Sequence, residues 1–263
     1  MTTVAPVGSP WTTGDFHMIG RTHNAGDGLC EDCEIPGGAR VLDVACGSGN
    51  TAISAARHGA FVTGLDLYDK LVERARMRAG ADGFDIEFVT GNAEALPFDN
   101  ASFDYVLSTF GVMFAPDQRR AADELLRVCR PHGTIALSNW TLESFAGALF
   151  GLAAKYGPAR APGFRSPLEW GTVRGLEELF GGRVRGIRLL DRSFRSYAPN
   201  FDEYFAVMRK FFGPLKTLFD NLPEDVSETA RNELSEIAAR YNRATDGTLA
   251  VHMAYVNVII ERD

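Results

Sequence analysis

The chain has 263 residues, 45% of them hydrophobic and 23% charged, which is ordinary globular usage and argues against extensive disorder. A net charge of −7 runs against the basic footprint with which nucleic-acid binders displace counterions, so small-molecule partners are expected, with no nucleic acid and a homodimer left open. No apolar run reaches the roughly 18 residues of a membrane helix, and residues 1–10 hold neither a basic residue nor an apolar stretch, so no secretory signal and a cytoplasmic location are expected.

Before the first strand, Cys30 and Cys33 form a CxxC with His17 and His23 upstream. Zinc sites need four ligands in a compact arrangement, and a redox CxxC opens a helix after a strand. This pair does neither, so no metal is expected. Cys46 and Cys129 sit in apolar runs and read as small core residues. No disulfide is expected in a reducing compartment.

From residue 39 onward, apolar strand-like runs alternate with helical patterns. Strands are predicted over 39–45, 61–65, 86–90, 105–109 and 134–139, with helices over 51–58 and 69–79. A further helix places Ala122, Leu125, Leu126 and Cys129 on one face and stops at Arg130 and Pro131. Residues 143–182 break the alternation and are rich in Phe, Gly and Pro. A strand over 184–190, a helix over 202–212, an amphipathic helix over 224–241 and a closing strand over 249–260 follow. The arginines at 74, 76 and 78, and those at 183, 185, 188, 192 and 195, read as solvated faces.

The pattern predicts a doubly wound α/β fold, a seven-stranded, mostly parallel sheet with helices on both faces and a late helical cap. Its parts are a helical segment over 1–38 covering the cofactor, a core over 39–142, a cap with a further strand over 143–247 and a closing core strand over 248–263. Ligands in such sheets bind outside the carboxyl ends of the strands. The loops at 45–50, 66–68, 91–94, 108–114 and 139–145 should therefore converge on one crevice.

The strongest chemical feature is VLDVACGSGN, residues 41–50. A buried strand ends at Asp43 and turns through Gly47 and Gly49 into a helix, where glycine lets the backbone approach a ligand. The next strand ends at Asp66, 23 residues after Asp43, where an acid can hold both ribose hydroxyls of an adenosine. A dinucleotide site wants a third glycine, but Ala52 stands there, and Asp43 would repel a pyrophosphate. S-adenosylmethionine carries sulfonium and ammonium groups and no phosphate, and suits this charge better.

VLDVACGSGN, VTGLDL, GNAEALPFDNASFDYVLS and LLRVCRPHGTIALSNW resemble the successive motifs of class I S-adenosylmethionine-dependent methyltransferases, in the ubiquinone/menaquinone-type or type 11 branch. The sequence is similar to an actinobacterial-like small-molecule subgroup through WTTGDF, STFGVMFAP, NWT, Trp170–Gly171, FFGP, Asn242–Arg243 and DGT, so the likeness spans nearly the whole chain. The resemblance implies a Rossmann-like core with Asp43, Ala45, Gly47 and Gly49 at the methionine part of S-adenosylmethionine. It further implies Asp66 at the ribose, Leu67, Asn92 and Ala93 around adenine, and Ser108 and Thr109 along the crevice. Relatives usually carry Asp where this chain has Asn92, which can still accept a hydrogen bond.

Methyl transfer from a sulfonium depends on alignment and water exclusion, and needs a base only when the acceptor must lose a proton. Trp11, Phe16, Met113, Phe114, Trp140, Trp170, Tyr204, Phe205, Phe211 and Phe212 are candidates for an apolar acceptor pocket. His17, Glu143 and His252 are the candidate bases, and His17 is the first to test because its segment should cover the site. The expected function is O-, N- or C-methylation of a small apolar or aromatic metabolite, quinone-like or a natural product. The alternatives are a non-catalytic S-adenosylmethionine-binding regulator and a nicotinamide-dependent oxidoreductase.

Overall fold

A computed structural model describes residues 10–159 and 163–263. Residues 1–9, which hold most of the expected non-signal stretch and the start of the predicted 1–38 segment, lie outside the described residues.

Seven strands form one sheet in the order β3-β2-β1-β4-β5-β7-β6. They are β1 (Arg40–Val44), β2 (Phe61–Asp66), β3 (Glu87–Thr90), β4 (Phe103–Thr109), β5 (Cys129–Trp140), β6 (Val184–Ala198) and β7 (Leu249–Arg262). β1 to β5 pair in parallel, whereas β7 runs antiparallel to both β5 and β6. Strand order reverses between β1 and β4, which makes their carboxyl ends the crevice. The central strand reads as a continuous apolar run because both its faces are covered, and Val41, Leu42 and Val44 have no exposed surface.

On one face Leu29 of α3 (Ala25–Asp32), Ile53 of α4 (Asn50–Arg57) and Val72 of α5 (Asp69–Ala81) pack with Val41 and Leu107. On the other, Leu125 of α6 (Gln118–Val128) and Leu176 and Phe180 of α8 (Val173–Phe180) pack with Val106 and Ile135. Asp117 caps α6 by accepting the Arg120 N–H.

Three differences from the sequence reading have local causes. β5 begins at Cys129, not 134, because Cys129 pairs with Phe103 before the register shifts to Thr134 opposite Tyr105. Pro131 has no N–H to give the ladder, and His132 adopts a positive φ of 59°, so the bridging residues loop out. β6 continues eight residues beyond the expected Leu190, through DRSFRSYA, where only one face is covered and no apolar run marks the strand. Residues 143–182 are not all cap. α7 (Phe145–Tyr156) joins α9 (Phe201–Phe211), α10 (Gly213–Asp220) and α11 (Glu224–Tyr241) in a separate apolar cluster, while α8 returns to the sheet.

The lengthened strands matter for the site. β7 pairs with β5 only over Tyr255–Glu261 but with β6 all the way to Leu249, so a two-stranded ribbon projects past the carboxyl end of β5. Val251 and Met253 on that ribbon pack into the cap. Over the same crevice lie the short helices α1 (Pro10–Thr13) and α2 (Phe16–Gly20). The Asp15 N–H donates to the Phe211 carbonyl at 2.9 Å. Gly14 is obligatory at this crossing, since a Cβ there would lie 2.2 Å from the Phe211 oxygen. Among the described residues no helix is long and apolar enough to cross a membrane.

Candidate functional site

Asp43, at the end of β1, is 1% exposed. Its Oδ2 accepts the Ala52 N–H at 2.9 Å, which ties the strand to the first turn of α4. Its Oδ1 is buried without a hydrogen-bond partner. Burial, partly offset by the Ala52 N–H and reinforced by Asp66, pushes the carboxyl up to about 8. The chain then turns through Ala45 (φ 55°), Gly47 (φ 55°) and Gly49 (φ 85°), all left-handed.

The two glycines do different things. A Cβ on Gly47 would meet nothing within 4 Å, so its open side is a cradle. A Cβ on Gly49 would lie 3.1 Å from Ala75 Cβ and 3.2 Å from Phe88, so this glycine lets the turn pack under α5 and β3. Asp66 Oδ2 accepts the Gly47 N–H at 2.8 Å and its Oδ1 the Tyr68 N–H at 3.0 Å. Burial raises its pKa, against those backbone bonds. From α5, the Arg78 guanidinium donates to the Ser48 carbonyl and to Asn50 Oδ1, each at 2.6 Å.

An orphaned carboxylate oxygen beside an open glycine cradle fits a ligand that brings a cationic donor. It does not fit a pyrophosphate. Leu67, Asn92 and Ala93 are half-buried at the neighbouring strand ends, with Asn92 Oδ1 accepting the Glu94 N–H at 2.9 Å. Ser108 departs from the expected lining role. Its hydroxyl donates to the Val44 carbonyl at 2.7 Å and accepts the Val112 N–H at 3.0 Å, so it is consumed in tying β4 to β1. Thr109 stays half-buried and accepts from the Thr51 hydroxyl at 2.8 Å.

α2 brings His17 to this loop, its Nδ1 3.3 Å from Ser48 Oγ. Burial first, then Arg78 and Arg74, lower the imidazole pKa. Arg74 also grips both oxygens of Asp15 at 3.1 Å. Glu143 is exposed, and its carbonyl accepts the Tyr241 hydroxyl at 2.8 Å. His252 pairs with Arg195, and strand alternation turns it to the sheet face opposite Tyr255. Of the three candidate bases, only His17 touches the glycine turn after β1.

The aromatic candidates divide. Trp11 packs on Phe16 at 5.0 Å and on Phe114 at 4.5 Å, Phe16 on Phe212 at 5.8 Å, and Phe114 on Phe150 at 5.7 Å. This group joins α1 and α2 to the cap. Phe211 is half-buried beside it and acts through its carbonyl. Met113, Trp170 and Tyr204 are corrections. Met113 and Trp170 have no exposed surface and belong to the sheet core, where the Trp170 indole N–H donates to Gln118 Oε1 at 2.8 Å. Tyr204 lies in the cap core with Phe205 packed against it, its ring 6.1 Å from Phe145.

Trp140 belongs to a second wall that the sequence reading missed. Its ring stacks on Phe110 at 3.9 Å and 5°, and Tyr255, Phe194 and His23 complete the group. Phe110 stands in the STFGVMFAP loop after β4, the one signal that could have flagged it. The CxxC cysteines lie elsewhere. Cys30 is fully buried with its thiol pushed up to about 12, and burial raises Cys33 as well.

A family model described as "Methyltransferase domain" matches residues 42–137. An uncharacterized protein of Mycobacterium tuberculosis (strain ATCC 25618 / H37Rv) is 41% identical over 239 residues, covering 88% of this chain and 86% of its own. A demethylmenaquinone methyltransferase of Clavibacter sepedonicus is 38% identical over 104 residues, covering 40% of this chain and 42% of that one. Among solved structures, the YcgJ protein of Bacillus subtilis superposes with a TM-score of 0.58 at 22% identity, covering 92% of this chain and 100% of that one. At that identity the likeness shows the fold.

Proposed function

Because the chain belongs to the class I S-adenosylmethionine-dependent methyltransferases, in their type 11 branch, we propose that it methylates a small apolar or aromatic metabolite. The observation that carries the acceptor class is the pair of aromatic walls over the carboxyl ends of β4 and β5, roofed by α1, α2 and the cap. When bound, S-adenosylmethionine supplies an electrophilic methyl on a sulfonium. It is the cofactor of this family, which leaves the nicotinamide alternative without support.

Everything else falls to the chain. Asp43 Oδ1 would take the ammonium of the methionine part, the Gly47 cradle would let the backbone approach it, and Asp66 would hold the ribose. Each Asp66 oxygen has a second lone pair beyond its backbone bond, so ribose hydroxyls can add to the existing contacts. Trp11 and Phe16 would exclude water from the transfer path, which strengthens charge interactions inside. His17 is the candidate base for an acceptor that must lose a proton, since its lowered pKa keeps the imidazole neutral at physiological pH.

The test uses methyl-labelled S-adenosylmethionine, the purified protein and a metabolite extract of the source cell. Enzyme-dependent label in the organic fraction supports the reading. Label confined to the aqueous or macromolecular fraction refutes the acceptor class. Bound cofactor with no transfer to any fraction favours a non-catalytic binder.

A further inference from the structure

Four of the five residues in the Trp140 wall, His23, Phe110, Trp140 and Phe194, are half-buried, and Tyr255 is buried. Phe110 holds a positive φ of 53°, a region that bulky residues rarely enter without an imposed constraint. Its N–H donates to the Ser138 carbonyl at 2.9 Å, and Gly111 follows because a Cβ there would meet Ala45 Cβ at 2.6 Å. The strained turn lays the Phe110 ring flat on Trp140 and builds one rigid aromatic slab.

His23 stands at the edge of this slab, 4.8 Å from Phe194 in a stacked arrangement and 5.8 Å from Phe110 edge-on. Its Nδ1 accepts the Ala25 N–H at 3.4 Å, which places the proton of the neutral ring on Nε2. Nε2 makes no hydrogen bond to the described residues. Burial alone lowers this imidazole to about 4, with no charged group contributing. Asp32, behind Tyr255, is taken up by Arg192 Nε at 3.0 Å and Asn257 Nδ2 at 2.7 Å. The wall therefore offers flat apolar faces and neutral donors (His23 Nε2, the Trp140 indole N–H and the Tyr255 hydroxyl), while the nearby Asp32 charge is met by Arg192.

Resting on the methyltransferase reading above, we propose that the acceptor is a planar aromatic molecule bearing a hydroxyl or oxo oxygen. Its ring lies along the Phe110–Trp140 slab and its oxygen accepts a hydrogen bond from His23 Nε2. Stacking geometry selects planarity and the donor selects the oxygen.

The experiment is calorimetric titration of the full chain, saturated with S-adenosylhomocysteine, with 2-naphthol. 2-Decalol (the saturated analogue), 2-methylnaphthalene (no oxygen) and tetramethylammonium serve as comparisons. 2-Naphthol should bind at least about tenfold tighter than each of the three, the scale of one aromatic stacking or hydrogen-bond contribution. Trp140→Leu should lose about tenfold in 2-naphthol affinity while keeping that for S-adenosylhomocysteine. His23→Phe should narrow the gap in affinity between 2-naphthol and 2-methylnaphthalene, and an unchanged gap would remove His23 as the donor. Equal binding of 2-decalol or tetramethylammonium by the wild type, or full 2-naphthol affinity in Trp140→Leu, would overturn the inference and leave the cofactor reading standing. Failure of the wild type to bind S-adenosylhomocysteine would overturn both.

Discussion

Asp43→Asn should stabilise the cofactor-free protein and do so increasingly as pH rises. The aspartate is buried and pushed up to about 8, whereas in the unfolded chain it titrates near about 3.9. Between those values the folded state keeps a proton that the unfolded state has released. Folding therefore loses stability as pH rises through this window, at about 1.4 kcal/mol per pH unit, levelling off above about pH 8. Between pH 6 and pH 8 the loss comes to about 2 kcal/mol, or roughly 5 °C in Tm for a chain of this size. The Asn variant cannot ionise and keeps an oxygen for the Ala52 N–H, so it escapes this loss. Asp66 is also raised and is present in both proteins, so the difference reads Asp43 together with its coupling to Asp66. The assay is urea or thermal unfolding of both cofactor-free proteins at pH 6, 7 and 8. Calorimetry in two buffers of different ionisation enthalpy adds a second arm. Wild type should release about one proton on binding S-adenosylmethionine at pH 7, as the ammonium restores the carboxylate, and the variant none. Parallel stability profiles, or equal proton release, would refute the buried, protonated Asp43.

Asp66→Ala should cost cofactor affinity by roughly a hundredfold, since it removes ribose acceptors and frees the Gly47 loop; unchanged affinity by calorimetry would sink its assigned role. Gly47→Ala should leave stability within about 1–2 kcal/mol of wild type, the cost of its left-handed turn, yet abolish cofactor binding. Gly49→Ala should instead destabilise by about 2–4 kcal/mol in urea, because strain adds to the contacts at Ala75 and Phe88. Trp170→Ala should cost about 3–5 kcal/mol as a core deletion, and a folded variant of normal stability with impaired acceptor binding would return Trp170 to the pocket. All four cysteines have raised pKa values, so a chromogenic thiol reagent at pH 8 should label them only after unfolding; rapid native labelling of Cys33 contradicts this.

The turn after β1 and the paired acids were legible because their information is local. The turn from Asp43 to Asn50 and the acid at Asp66 lie within 24 consecutive residues, and each spans one strand-to-helix passage whose geometry the sequence period announces. What could not be read there was direction. Nothing in GSG says that Gly47 faces open space and Gly49 faces Phe88, and nothing in STF says that Ser108 turns inward to Val44. Aromatic identity was equally mute, since Trp140 and Trp170 are the same residue type with the same hydrophobicity. One sits on the crevice and the other has Gln118 waiting in the core.

The acceptor wall was illegible for a different reason, and that reason bears on what family membership can mean. His23, Phe110, Trp140, Phe194 and Tyr255 come from five separate stretches of chain: Tyr255 lies opposite Trp140 in the sheet, and Phe194 joins them on the stretch where β6 and β7 run on past β5. The β6 half of the overrun is covered on one face only, so it lacks the apolar run by which the strand over 184–190 is predicted. The methyltransferase domain match ends at residue 137 and includes Phe110 alone of these five. The shared part of the fold thus carries the cofactor turn, while the surface proposed for the acceptor lies almost wholly outside it. Chains that keep the Asp43–Asp66 end and replace the ribbon can take other acceptors on an unchanged cofactor core. Transplanting residues 192–198 and 249–255 between two such relatives should therefore move acceptor preference without moving affinity for S-adenosylhomocysteine. A chimera whose acceptor preference followed the core instead would place specificity back in the loops of β1 to β5.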